Sequence, residues 1–134
     1  MDHLGEAQLT TLRARLDQEA KELRERIAER SMTIAEGSEG DLRDIEDKAA
    51  REGMRFQAMR QLTREQARLA EVEAALARMD AGEYGICEES DEPIPFRRLE
   101  LDPATRYTAE AQAEVERERA QDRDDPTPDE PIGY

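Results

Sequence analysis

All six prolines of this 134-residue chain (Pro93, Pro95, Pro103, Pro126, Pro128, Pro131) fall after residue 92. The first two-thirds therefore holds no residue that must break a helix. Within it, Gly37 and Gly40 lie in the polar, turn-prone stretch Ala35-Glu36-Gly37-Ser38-Glu39-Gly40-Asp41. On either side the apolar spacing is helical. Upstream, Leu9, Leu12, Leu16, Ala20, Leu23, Ile27 and Ile34 form one stripe in steps of three and four residues. Downstream, Ile45, Ala49, Phe56, Met59, Leu62, Leu69, Val72, Leu76 and Met79 form another, with Leu62, Leu69 and Leu76 seven apart. Two such helices joined by a short loop predict an antiparallel coiled-coil hairpin with arms of about 40–50 Å. Each stripe finds its cover on the other.

Composition decides between this and disorder only through that spacing. Leu, Ile, Val and Phe total 21 residues in a chain of net charge −14, a balance typical of disordered chains. Yet 72 residues are Ala, Glu, Lys, Leu or Arg, which favours a long helix once the apolar positions are periodic. The charge is uneven. Residues 35–53 hold seven acidic against three basic side chains and 108–134 nine against three, while 54–81 is nearly balanced.

The second helix should stop near Asp80-Ala81-Gly82, where glycine can take the left-handed capping conformation. A small globular base follows, packed from Tyr84, Ile86, Ile94, Phe96, Leu99 and Leu101, with Pro93-Ile94-Pro95 stiffening its turn. Asp102-Pro103 reads as an N-cap with proline at the first helical position, opening a C-terminal helix through about Gln121. The predicted organisation is a hairpin over 1–81 with its tip at about 35–47, a base plus C-terminal helix over 82–121, and a disordered acidic tail over 122–134. The fold class is mainly α.

No apolar run approaches the ~20 residues that cross a bilayer, and no signal segment opens the chain, so a soluble cytoplasmic protein is expected. A single Cys excludes an intrachain disulfide, and one Cys with one His cannot supply four zinc ligands. The acid excess argues against duplex binding, which depends on Lys and Arg at phosphates.

Three features could carry function. Asp44 and Asp47, three apart, place two carboxylates on one face of the first turn of the second helix, with Ala49 behind them. At the end of a thin rod they could approach a cation inside a partner; equally, acidic residues there serve as caps and complement the helix dipole. Cys87 sits in Gly82-Glu83-Tyr84-Gly85-Ile86-Cys87-Glu88-Glu89-Ser90, half a metal knuckle with no second pair. A metal on Cys87 with Glu88, Glu89 or Asp91 would need an unusual ligand set, and a partly buried, inert thiol is the plainer reading. Arg51, Arg55, Arg60, Arg64 and Arg68 run along the second helix, either as solvated surface or, at Arg60 and Arg64, as a grip on a carboxylate-bearing rim. His3 is read as solvent-exposed near a frayed terminus. No nucleophile–base pair or phosphate loop marks an enzyme.

Three separated motifs, in order, resemble the DksA/TraR family of RNA polymerase regulators. Asp44-Ile45-Glu46-Asp47-Lys48-Ala49 is similar to the family's Asp-x-x-Asp-x-Ala tip, and Glu6-Ala7-Gln8-Leu9 to the start of its first long helix. The stretch from Ala75 to Cys87 and Arg97-Arg98-Leu99-Glu100 resemble the approach to and crossing of its zinc knuckle. The resemblance implies a hairpin that enters the polymerase secondary channel and places its tip near the catalytic Mg²⁺, altering promoter open-complex stability without chemistry of its own. Asp44, Asp47 and Ala49 would be tip determinants, and Arg60 and Arg64 stem contacts. The four knuckle positions would fall at Cys87, Ser90, Thr108 and Ala111, so no zinc is expected. Of the basic positions that help family members bind the alarmone ppGpp, Arg98 remains, while Glu71, Asp102 and Gln112 replace the others; weak or absent ppGpp enhancement follows. The implied partner is RNA polymerase, met by a monomer with no sequence-specific DNA binding and no membrane. A Gre-type transcript-cleavage factor and an acidic coiled-coil adaptor unrelated to polymerase are the alternatives.

Overall fold

A computed structural model describes residues 1–37 and 45–124. It contains four helices: α1 (Glu6–Gly37), α2 (Ile45–Ala81), α3 (Phe96–Leu101) and α4 (Ala109–Asp124). The only pairing of extended chain among the described residues is one antiparallel bridge between Ile86 and Pro93.

The two long helices form the expected hairpin. α1 starts after Gly5, whose N–H is met by the Gln8 side chain at 2.9 Å, one half of a capping box. α2 ends where the sequence predicts: Glu83 N–H bonds Arg78 O at 2.8 Å, Gly82 N–H bonds Met79 O at 3.2 Å, and Gly82 has φ +75°. That is a Schellman cap, which only a residue tolerant of the left-handed region closes cheaply. At ~1.5 Å per residue the 37 residues of α2 span about 55 Å.

The seam is apolar close to the base and polar further out. Leu12, Leu16, Ala20 and Leu23 bury against Val72, Ala75 and Met79. Ion pairs flank them across the hairpin: Arg13–Asp80 at 2.8 Å, Arg24–Glu73 at 3.2 Å and Arg68–Glu19 at 2.6 Å. Beyond Leu23 and Val72 a fourth pair, Arg30–Glu65 at 2.5 Å, enters the seam itself. Glu65 is buried at 8% exposure, and its second carboxylate oxygen has no hydrogen-bond partner.

The second apolar stripe needs correction in this outer half. Phe56, Met59 and Ala49 do not face α1; the first two are 68% and 46% exposed and Ala49 is also exposed. Leu62 of the expected stripe does turn inward, and the seam runs through it with Ala58 and Glu65, which the stripe did not include; all three are partly or fully buried. Both tracks satisfy three- and four-residue steps, and the true one is carried by small and charged side chains that a search for hydrophobes passes over.

The base closes on a tight turn. Cys87 N–H bonds Glu92 O at 2.8 Å, Asp91 N–H bonds Cys87 O at 2.9 Å and Ile94 N–H bonds Gly85 O at 2.7 Å. Tyr84, Cys87, Ile94, Leu99, Ala104 and Ala111 fill its centre. Tyr84 reaches across with its hydroxyl, donating to Pro103 O at 2.7 Å, and burial pushes that phenol up to about 12. Leu101, expected in this core, is 83% exposed at the end of α3.

The C-terminal helix also starts elsewhere than Asp102-Pro103. Asp102 follows the last residue of α3, and its carboxylate takes the Ala104 N–H at 3.1 Å, a local turn that satisfies both residues without a helix. Thr108 is the cap of α4: its Oγ1 accepts Ala111 N–H at 3.2 Å and its carbonyl accepts Gln112 N–H at 2.9 Å. Because α4 runs to Asp124, the first three residues of the expected tail are helical, and the remainder lies outside the described residues.

The residues before α1 belong to the base. Leu4 is buried, and the His3 ring donates from Nε2 to Ile94 O at 2.8 Å, so the terminus is tied down although His3 stays exposed. Gly85, at φ +81°, makes room for both: a Cβ there would lie 3.0 Å from Leu4 Cδ1 and 3.2 Å from His3 Cε1. No helix among the described residues is long and apolar enough to cross a membrane.

Candidate functional site

The outer end of the hairpin presents two of the three predicted tip residues. Asp47, in the first turn of α2, and Ala49 are both exposed; Asp44 lies outside the described residues. A carboxylate in that turn complements the helix dipole, so Asp47 holds its position without needing a protein partner.

Down the stem, Arg60 and Arg64 are exposed one turn apart on α2. Neither has a carboxylate within ion-pair distance among the described residues, unlike Arg13, Arg24, Arg30, Arg68 and Arg78 closer to the base. Arg68, the last member of the same series, behaves quite differently. Its guanidinium bonds Glu19 of α1 at 2.6 Å and 3.1 Å, Glu71 of α2 at 3.4 Å and Asp102 at the end of α3 at 3.0 Å. The hydrogen bond to Glu19, opposed by burial and helped by Asp102, raises it above the ordinary arginine range. Sequence reasoning missed this hub because Glu19 and Asp102 lie 49 and 34 residues away along the chain.

The four knuckle positions do meet. Cys87 is fully buried rather than partly so, and its Sγ accepts the Thr108 N–H at 3.4 Å and faces the Thr108 hydroxyl at 3.9 Å. Burial alone would raise the thiol; hydrogen bonds from the Ser90 side chain and from the Thr108, Ser90 and Glu89 backbone outweigh it and bring the thiol down to about 7. With one sulfur, two hydroxyls and the Ala111 methyl at the four corners, the donor set does not fit zinc, which takes four N or S ligands in structural sites. Among the described residues, no group of three or more His, Cys, Asp and Glu side chains lies together as a metal-holding set.

The positions that the resemblance links to ppGpp also converge. Glu71, Asp102 and Gln112 line a cleft of about 240 Å³ with Thr105, Arg106 and Arg119. Asp102 is already committed to Arg68. Arg98 does not line the cleft; its Nε donates to Tyr107 O at 2.7 Å, bracing the loop before α4.

Comparison with known proteins follows the same layout. A family model described as prokaryotic dksA/traR C4-type zinc finger matches residues 82–117. The RNA polymerase-binding transcription factor DksA of Caulobacter vibrioides is 38% identical over 82 residues, 61% of this chain and 58% of that protein. General stress protein 16O of Bacillus subtilis is 46% identical over 63 residues, 47% of this chain and 37% of that protein. The chain thus matches between about a third and three-fifths of the length of these curated relatives. The structure of transcription factor DksA2 from Pseudomonas aeruginosa superposes with a TM-score of 0.73 at 35% identity, covering 88% of both chains.

Proposed function

Because this chain belongs to the DksA/TraR family, we propose that it is a non-enzymatic transcription regulator that binds RNA polymerase through the secondary channel. The observation that carries this reading is the rod itself: α1 and α2 project the exposed Asp47 and Ala49 about 50 Å from the base. Such a rod brings negative charge to a recessed cation while the base stays outside. Asp44 and Asp47 act near the polymerase's catalytic Mg²⁺, and the regulator changes open-complex stability through that field and through sterics. Its place of work is the cytoplasm, as a monomer.

Two further properties belong to the proposal. The base works without zinc, held by packing around Tyr84, Cys87 and Leu99 and by the Thr108–Cys87 contact. Enhancement by ppGpp is weak or absent, because in that cleft Glu71 and Asp102 offset Arg106 and Arg119 and Gln112 adds only an amide, leaving a polyphosphate no net positive charge.

The test is in vitro transcription from a stable-RNA-type promoter, with and without ppGpp, comparing wild type with Asp44→Asn/Asp47→Asn. Asn caps helices well, so the variant keeps its fold and loses charge. Loss of regulation with retained polymerase binding is expected. Unchanged regulation refutes the tip mechanism, strong ppGpp enhancement refutes the cleft reading, stoichiometric zinc in the purified protein refutes metal independence, and transcript shortening in stalled complexes assigns a cleavage-stimulating role instead.

A further inference from the structure

One face of α2 links the cleft beside α4 to the outer stem. Arg64 and Arg60 precede Glu71 by seven and eleven residues, close to two and three full helical turns, so the three side chains lie in line. Along the axis Arg64 is about 10 Å and Arg60 about 16 Å from Glu71. Glu71 marks the stretch of this face that α4 approaches. That helix starts in the base, where Thr108 meets Cys87, and with Gln112 and Arg119 it lines the cleft that holds Glu71. Its later turns bury nothing: Glu116 to Arg123 are all exposed.

Opposite charges sit at the two ends of this layout. Past Arg123 the sequence runs Asp124-Asp125-Pro126-Thr127-Pro128-Asp129-Glu130-Pro131, four carboxylates and no cation. Its prolines favour extended polyproline backbone at about 3.1 Å per residue, so the six steps from Asp124 to Glu130 reach about 19 Å. That exceeds the distance along α2 from Glu71 to Arg60. On the receiving side, Arg60 and Arg64 have no carboxylate within ion-pair distance among the described residues. Several arginines closer to the base are already matched: Arg68 by Glu19, Glu71 and Asp102, Arg78 and Arg106 by Glu88, and Arg117 by Glu114.

We propose that the acidic segment 124–130 folds back along this face of α2 and sets its carboxylates against Arg64 and Arg60, an internal occupant that any carboxylate-bearing partner of these arginines has to displace. Reach and charge complementarity select this occupant. A second copy of the chain laid face to face would bring arginine against arginine. Each exposed ion pair contributes little by itself, but tethering holds the carboxylates at an effective concentration on the order of millimolar. The contact is therefore weak, sensitive to salt and easily exchanged for a better partner. It stands independently of the polymerase reading, and only its competition with polymerase rests on that reading.

Nitrogen-15 NMR of the full-length protein at low salt, comparing wild type with Asp125→Asn/Asp129→Asn/Glu130→Gln, tests the contact. The Arg60 and Arg64 backbone and guanidinium signals are expected to move on this substitution with helicity unchanged, and to move the same way when about 0.5 M salt is added to wild type. Glu118→Gln, which removes an exposed carboxylate of α4 itself, should leave them in place. Arg60 and Arg64 signals that ignore the tail variant overturn the contact. A tail effect that grows with protein concentration assigns the carboxylates to a second copy and overturns it as well. Towards purified core RNA polymerase at low salt, the tail variant should bind roughly three- to tenfold more tightly than wild type, and Arg60→Gln/Arg64→Gln should erase the difference. Equal binding of tail variant and wild type refutes the competition. No binding by either sinks the polymerase reading, while the NMR result still decides the contact.

Discussion

Replacing the Arg30–Glu65 pair by Arg30→Met/Glu65→Leu should make this protein more stable. In the wild-type seam Glu65 is 8% exposed and one of its oxygens has no partner, an omission that costs about 1–3 kcal/mol. A leucine in its place contributes about 2 kcal/mol of apolar burial. Against this stands the loss of one charge-assisted hydrogen bond of about 1.5–3 kcal/mol. The net is a gain of about 2 kcal/mol, within the range seen when buried ion pairs are exchanged for hydrophobes. For a chain of this size that raises the melting temperature by roughly 6–8 °C. Arg30→Ala alone should do the opposite, costing about 3 kcal/mol by leaving the Glu65 charge uncompensated. Urea unfolding followed by far-ultraviolet circular dichroism, with equal m-values required, measures both. A double variant less stable than wild type, or an Arg30→Ala variant within ~0.5 kcal/mol of it, would show that the pair is not a penalty.

Three other outcomes are expected. Thr108→Val removes the cap of α4 and the hydroxyl beside Cys87, so it should cost about 1–2 kcal/mol in the same unfolding assay. The Cys87 thiol, held at about 7 against an ordinary value of 9.0, favours its charged form in the folded state; wild type should therefore gain stability over Cys87→Ser as pH rises from 7 to 9, by at most about 2–3 kcal/mol, and lose that gain below 7. A thiolate absorbance titration with its midpoint near 9 would contradict this. Gly85→Ala combines a left-handed backbone with a Cβ 3.0 Å from Leu4, and should destabilise by about 2 kcal/mol, with amide exchange accelerating first around His3 and Leu4.

How much of this was legible in the sequence varies by element. The inner hairpin and the Gly82 cap were, because a three-and-four-residue apolar period and a glycine at its end have one reading each. The outer seam was legible only at Leu62: Phe56 and Met59 mark a rival track of hydrophobes, and only three-dimensional pairing shows that Ala58 and Glu65 face inward. Asp102-Pro103 carried every local mark of a helix start, yet the Asx turn onto Ala104 N–H and the bond from Tyr84 to Pro103 O use the same groups. Thr108, which does cap α4, was visible as a threonine ahead of Ala111 and Val115 and was passed over as a lost metal ligand. Of the tip, Asp47 is exposed, and Ala49 is exposed although its spacing had placed it on the inward stripe, whereas the Arg68 hub depends on carboxylates brought from two distant segments.

That hub makes the molecule a cantilever. One guanidinium ties α1, α2 and the end of α3 together at the clamped end, and some 20 residues of α2 extend beyond it to the free end. Over that reach of about 30 Å, a rotation of about 5° at the clamp sweeps the tip through about 3 Å, a displacement the size of one hydrogen bond. Anything that loosens Arg68 will be felt at Asp47, far from where it acts.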